Sequence, residues 1–223
     1  MSVRQYQVEI PRLGPDELGA WSDIPAAVAS DALGRTGAMA GAISPVAPTM
    51  RIVAQARTVA CMVADNSALH AAIGLAAPGE VLVCDAQGFE DAAIWGGLMT
   101  MSAVERGLAG LVIDGAVRDS QEIIESGFCV FARAIVPRGP HKGFGGTIDG
   151  TLSCGGQCVS PGDLIIGDGD GVTVVPFARQ SDALDAARAI LDKEARALEG
   201  VAQGGSLADV YGVPQVELIP AAK

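Results

Sequence analysis

The chain has 223 residues and a mass of 22.6 kDa, a size at which one domain buries an adequate core without disulfides or metal. Hydrophobic residues at 49% and charged residues at 18% exclude a disordered polymer, and no apolar run approaches the ~20 residues of a membrane span. Fifteen Lys and Arg against 26 Asp and Glu leave a net charge of −11, which repels phosphate backbones and anionic lipid, so neither nucleic acid nor membrane is an expected partner.

Five cysteines form no framework, and the N-terminus has no apolar leader; a reducing cytoplasm is the expected compartment. Abundant glycine with few aromatics suits an α/β protein with tight strand–helix turns. The whole chain, 1–223, reads as one domain. Residues 1–14 are an N-terminal extension, and 202–223 a tail too poor in apolar groups to pack alone, expected on its own core or on a neighbouring subunit.

Leu18, Trp21, Ile24, Val28 and Leu33 recur at near-helical spacing across 15–34. Residues 52–64 are rich in β-branched side chains and read as a strand. Asn66 to Ala76 reads as a helix capped by Asn66 or Ser67, ending at Pro78-Gly79. Glu80–Asp85 is a short apolar strand, a helix runs from Gly96 to Ala109, Leu111–Asp114 is a second buried strand, and Asp119–Ser126 a further helix. That alternation predicts a mainly parallel sheet. Beyond Gly127, short strands at 128–136, 147–153, 163–167 and 171–176 alternate with Gly/Asp/Pro turns. A long amphipathic helix follows from Phe177 to about Glu199.

Two segments carry candidate chemistry. Gly96-Gly97-Leu98-Met99 opens a helix, and a glycine pair lets a carboxylate or phosphate approach the first free amides. Taken alone it also fits a plain strand-to-helix turn. Arg118-Asp119-Ser120-Gln121-Glu122 follows the Leu111–Asp114 strand, and Asp119 with Glu122 is equally a capping box. Geometry joins the two. A helix of about 12 residues descends ~18 Å and the following strand returns roughly 20 Å, so Gly97 and Arg118 should meet at the carboxyl edge of the sheet, where α/β folds place ligands. Amide donors and Arg118 suit the carboxylate and keto oxygens of a 2-oxo acid. Asp119 suits a hard divalent cation, which needs only one or two protein carboxylates. Together they would stabilise an enolate.

Gly97, Arg118, Asp119 and Glu122 fill the pattern Gly, twenty residues, Arg-Asp, two residues, Glu or Asp. Pro78-Gly79-Glu80-Val81-Leu82-Val83, Asp114-Gly115 and Pro161-Gly162-Asp163 add to the match. Over residues 25–200 the sequence resembles the class II pyruvate aldolases of the RraA-like superfamily, which act on 4-hydroxy-4-methyl-2-oxoglutarate and 4-carboxy-4-hydroxy-2-oxoadipate in aromatic degradation. The resemblance implies an αββα sandwich of the phosphohistidine swivelling-domain type, as homotrimers or homohexamers with sites between subunits. It implies a lyase that also decarboxylates oxaloacetate. Asp119 would bind Mg²⁺ or Mn²⁺, Arg118 and the amides of Gly96, Gly97, Leu98 and Met99 would hold pyruvate, and Glu122 would steady the site. Glu194, ahead of Glu199, would be the catalytic glutamate from a neighbour's C-terminal helix. The alternative that the resemblance carries is a non-catalytic RraA-like regulator binding a protein such as ribonuclease E.

Other features are weaker. Arg138, His141 and Lys142 lie in a Gly-rich loop able either to clasp a distal carboxylate or to stay solvated. His70 reads as a helix-surface residue. Cys154 and Cys158 lack a second ligand pair for zinc. No G-x-G-x-x-G or P-loop pattern occurs, so the menaquinone methyltransferase label of some family members finds no support. A Schiff-base aldolase would need Lys142, Lys193 or Lys223, none of them on a buried strand.

Overall fold

The computed structural model of the chain describes residues 2–219. Four strands, Ile52–Cys61, Val81–Asp85, Gly110–Val117 and Cys129–Ile135, run parallel at the centre of the main sheet in that spatial order. Val83 faces Val112 across one ladder and Val112 faces Phe131 across the next. Both faces of these strands are covered, which explains runs such as Val81–Cys84 with no polar alternation. Short segments after Ile135 pair antiparallel with the first of these strands instead. Gly146–Ile148 pairs with one end of Ile52–Cys61, and Leu164–Asp168 pairs with the other. The result is a mixed α/β fold: parallel where helices connect the strands, antiparallel where tight turns do.

Helices Ser67–Leu75, Gly97–Glu105 and Ser120–Ser126 follow the central strands. A second apolar cluster, with Trp21, Ile24, Leu164, Val175 and Leu184 among its members, forms where Ala26–Ala32 and Gln180–Ala202 pack over the hairpin of Leu164–Asp168 and Gly171–Val175. The N-terminal extension is tied down by ions and amides. Arg12 pairs with the buried Glu80, whose other oxygen holds the Arg57 guanidinium at 2.7 Å, and Arg57 also reaches Asp149 at 3.0 Å. Burying these charges is tolerable because each is paired.

The structure differs from the sequence reading in several places, among them the strand expected over 147–153, which is two strands, Gly146–Ile148 and Leu152–Cys154. The helix expected over 15–34 is two helices, Pro15–Gly19 and Ala26–Ala32. The break falls at Pro25, which has no amide to donate and disfavours a helical residue before it. The helix expected to reach Ala109 ends at Glu105 and turns at Gly107, whose φ is +71°. Neither Asn66 nor Ser67 caps the helix after the first long strand through its side chain; Asp65 receives the Ser67 amide at 2.9 Å instead. Finally, Ala93–Trp95 is a short strand parallel to the end of Gly110–Val117, too short to show a period.

Residues 202–219 are exposed in the single chain. Within this tail the short helix Leu207–Tyr211 folds back on the long helix, with the Lys193 ammonium 4.8 Å from the Tyr211 ring centre. The end of the expected tail, 220–223, lies outside the described residues. Among the described residues, no helix is long and apolar enough to cross a membrane.

Candidate active site

The turn between Ala93–Trp95 and Gly97–Glu105 is fixed from beneath. Trp95 is fully buried, stacks on Phe128 with ring centres 6.1 Å apart, and donates its indole N–H to Thr100 Oγ1 at 2.8 Å. Thr100 Oγ1 in turn donates to the Gly96 carbonyl at 3.2 Å. A buried tryptophan needs such a partner, and this one locks the Gly96-Gly97 corner. The Arg118 amide donates to the Trp95 carbonyl at 3.0 Å, so the two candidate segments are stitched together by backbone before any side chain is considered. Gly97 and Arg118 meet at the carboxyl edge of the parallel strands, as expected.

Asp119 departs from the capping box. It occupies the N-cap position of Ser120–Ser126, but in the left-handed region (φ 57°, ψ 41°), and its side chain makes no cap hydrogen bond. N-cap residues bond their own helix from extended backbone; the left-handed turn re-aims the carboxylate. Asp119 Oδ2 accepts the Gly97 amide at 3.0 Å and lies 3.3 Å from Arg118 Nε. Glu122 also leaves the cap, and its carboxylate packs on Gly97. A Cβ at Gly97 would overlap Glu122 Oε2, and one at Gly96 would come within 2.6 Å of Asp119 Oδ2. At both positions a Cβ would have to displace the end of an acidic side chain.

The Gly97 amide is thus occupied by Asp119. Among the described residues, the Leu98 and Met99 amides have no acceptor outside their helix, as the first turn of any helix leaves them. They, with Arg118, remain as donors for an anion, in a place favoured by the helix dipole.

A cleft of about 80 Å³ opens beside this group. Besides Gly96, Met99, Arg118 and Asp119, its walls include His70, Lys142 and Asn66. Asn66 is buried and gives its amide N–H to Met99 Sδ at 3.3 Å, while its Oδ1 has no partner among the described residues. His70, one helical turn from Asn66, is exposed on the helix surface, as the sequence reading expected, and it also borders the cleft. Burial depresses its pKa below the usual 6.5, the Lys142 charge lowers it further, and the Asp65 carboxylate partly opposes both. Asn66 and His70 were hidden in the sequence because an i, i+4 pair of polar residues on a helix is common. On the other side of Arg118 and Asp119 lies a second cleft of about 280 Å³, walled by Ile135, Val136 and Pro137.

Not every candidate joins the group. Lys142 borders the small cleft, whereas Arg138 and His141 are exposed on the same loop and do not line it. Glu194 lines a separate opening of about 430 Å³ with Asp31, Arg35, Lys193 and Tyr211. Within one chain it is apart from Arg118 and Asp119. Cys154 is buried and Cys158 exposed, both as free thiols.

A helix tip with free amides, an arginine and a carboxylate meet on the carboxyl edge of a parallel sheet in an α/β protein, the edge where such folds place ligands. Residues 26–174 match the RraA-like family, Aldolase/RraA, and the chain belongs to that family. It is 37% identical over 173 residues to a Halalkalibacterium halodurans protein named "Putative 4-hydroxy-4-methyl-2-oxoglutarate aldolase", covering 78% of this chain and 82% of that one. Among solved structures, it is similar to an uncharacterized Pseudomonas syringae pv. tomato protein with a TM-score of 0.78 and 27% identity, over 90% of this chain and 99% of the other. It is also similar to the RNA-processing inhibitor RraA from Thermus thermophilis, with a TM-score of 0.64 and 28% identity over 69% of this chain and 93% of that one.

Proposed function

We propose that the chain is a divalent-metal-dependent lyase that breaks the bond between C3 and C4 of 2-oxo acids and releases pyruvate. Its substrates would be of the 4-hydroxy-4-methyl-2-oxoglutarate and 4-carboxy-4-hydroxy-2-oxoadipate type, with oxaloacetate decarboxylated at the same site. The observation that carries this reading is the convergence of Gly97, Arg118 and Asp119, with Asp119 Oδ2 3.0 Å from the Gly97 amide and 3.3 Å from Arg118 Nε.

The residues fit a metal of modest protein demand. Asp119 is one-third exposed, and its Oδ1 accepts no hydrogen bond among the described residues, which leaves that oxygen for a cation. Among the described residues no three His, Cys, Asp or Glu side chains cluster as a cage. Mg²⁺ or Mn²⁺ would therefore be held by Asp119 with water as its other ligands, a pattern common for Mg²⁺. Such an ion supplies Lewis-acid polarisation of the keto oxygen.

The chain's own groups do the remaining work. The Arg118 guanidinium and the Leu98 and Met99 amides hold the carboxylate and the C2 oxygen of the substrate. In aldol cleavage a base takes the C4 hydroxyl proton, the C3–C4 bond breaks, and its electron pair moves through C3 to the C2 oxygen. In oxaloacetate the same bond breaks with loss of CO₂. Both routes leave pyruvate enolate, which Arg118 stabilises by charge and which is protonated at C3. Glu194 of a neighbouring copy is our candidate for the proton-handling group, since its own chain places it in a different opening. This assigns the active site to the contact between subunits of a homotrimer or homohexamer.

The test is turnover of oxaloacetate and of the two branched hydroxy-oxo acids with and without EDTA. We expect EDTA to abolish turnover and Mg²⁺ or Mn²⁺ to restore it; metal-stripped protein that works at full rate above buffer overturns the reading. Borohydride trapping with pyruvate addresses the lysine alternative, for which the exposed Lys142 and Lys193 are poor candidates, and Lys223 lies outside the described residues. A second reading, a regulator binding a basic protein segment, is favoured by the likeness to the Thermus RNA-processing inhibitor and by the charge of −11. Capture of a ribonuclease E scaffold region with no turnover under Mg²⁺ would put it first.

A further inference from the structure

Asp65 takes no part in the chemistry above, yet it is a fully buried carboxylate in the turn between Ile52–Cys61 and Ser67–Leu75, in a place where an apolar side chain would be the ordinary choice. Its two oxygens divide their work. Oδ1 accepts the Ser67 amide at 2.9 Å and the Ser67 hydroxyl. Oδ2 accepts the Gly143 amide at 2.7 Å and the Phe144 amide at 3.0 Å. One side of the carboxylate starts the helix that carries Asn66 and His70; the other grips a loop 78 positions away.

That loop, residues 137–146, forms the rim of the small cleft through Pro140 and Lys142. It is pinned at further points by backbone. The Ala93 amide donates to the Arg138 carbonyl at 2.8 Å, the His141 amide to Ala64 at 2.7 Å, and the Asn66 amide to the His141 carbonyl at 3.1 Å. Gly139 lies against Arg118, where an added Cβ would come within 3.2 Å of Nη1. A glycine-rich segment has high conformational entropy when free, so residues 140–142 keep one path because His141 is held through its own amide and carbonyl and both flanks are held as well. On the far flank the hold is Asp65, seconded by Ser67 Oγ, which accepts the Gly145 amide at 3.0 Å.

We infer that Asp65 is a positioning residue for the cleft, fixing the 137–146 loop through the Gly143 and Phe144 amides so that Pro140 and Lys142 stand opposite Arg118 and Asp119. Burial alone would push the Asp65 carboxyl up, but the bonds from Ser67, Gly143 and Phe144 outweigh it and hold the group at about 2. The grip is therefore anionic at any working pH. The inference rests on the reading above only for the identity of the substrate.

Asp65→Asn tests it, because an amide nitrogen facing the Gly143 and Phe144 donors cannot accept from them, and turning the amide over sets it against Ser67. Hydrogen exchange and steady-state kinetics are measured on the same protein. We expect exchange across 138–146 to accelerate with the central strands unchanged, and KM for oxaloacetate with Mg²⁺ to rise about tenfold while kcat stays within roughly twofold, as for loss of one charge-assisted hydrogen bond. Normal protection of 138–146 in the folded variant, or faster exchange with KM unmoved, overturns the inference. If the variant does not fold, the wild type decides: the Gly143 and Phe144 amides must exchange more slowly than those of their exposed neighbours, and equal exchange refutes the grip. If the wild type turns over no 2-oxo acid, the proposed function fails, and the exchange measurements still decide whether Asp65 holds the loop.

Discussion

The Asp119 carboxylate caps a helix that is not its own: Oδ2 accepts the amide of Gly97, 22 positions earlier, at 3.0 Å. Asp119 satisfies the first amide of Gly97–Glu105 and leaves the start of Ser120–Ser126 without a side-chain cap. One carboxylate oxygen thereby fixes the relative position of the two helices whose tips make the site. The other oxygen stays available.

This division of labour separates two substitutions at Asp119. Asparagine tolerates left-handed backbone and can keep an oxygen on the Gly97 amide. Asp119→Asn should therefore melt within a few degrees of the wild type, while Mg²⁺-activated decarboxylation falls roughly a hundredfold or more. Alanine has neither property, and at φ 57° it adds a left-handed penalty of about 1–2 kcal/mol. Thermal melts with decarboxylase rates on the two proteins check the contrast; equal melting temperatures would contradict the re-aimed cap.

A Cβ at Gly97 would overlap Glu122 Oε2, the end of an exposed, flexible side chain that must swing aside to admit it. Gly97→Ala should therefore cost at most about 1 kcal/mol, below the usual cost of overpacking a core. Shortening the partner should return part of that, so the melting temperature of Gly97→Ala with Glu122→Ala is expected above that of Gly97→Ala alone. A double-mutant cycle with no coupling would remove the contact from the account.

His70 offers a probe of the cleft's electrostatics. Its pKa is lowered by burial first and by the Lys142 charge second. Removing that charge in Lys142→Ala should move the His70 titration upward, toward 6.5, without restoring it fully because burial remains. Imidazole proton chemical shifts followed against pH read this directly, and a downward movement would mean that Lys142 is not near the ring.

Asp65 predicts an acid limb. Its folded carboxyl titrates at about 2, below the ordinary 3.8. The unfolded chain binds the proton first, so this contribution is complete above 3.8 and is lost as pH falls toward 2. Asparagine does not titrate there. The stability gap between wild type and Asp65→Asn should narrow across that window in urea melts at stepped pH; a gap independent of pH would deny the depressed pKa.

Much of the parallel core was legible in the chain. Val81–Cys84 and Leu111–Ile113 are apolar runs too short for helices and bounded by turns, and strands buried on both faces look like this. The 15–34 segment misled because its apolar spacing continues across Pro25, and periodicity does not register a missing amide. Ala93–Trp95 escaped notice because three residues carry no period. Within the candidate site, Gly97, Arg118 and Asp119 were marked by residue type and spacing. The cleft-facing place of Asn66 and His70 was not, because which side of a helix meets a cleft depends on how the helix is docked.

The linear order of residues determined which elements form, the acidic character of the surface, and the Gly–Arg–Asp–Glu spacing that brings two strand ends to one edge. Those properties are local or additive, so they survive in a one-dimensional reading. Only the folded chain decided that Asp119 turns left-handed toward Gly97 instead of capping forward, that Glu122 rests on a glycine, and that Asp65 holds a loop from across the sheet. Each of these is a choice between near-equal hydrogen-bond partners, and the choice is made by the packing that brings distant amides within 3 Å.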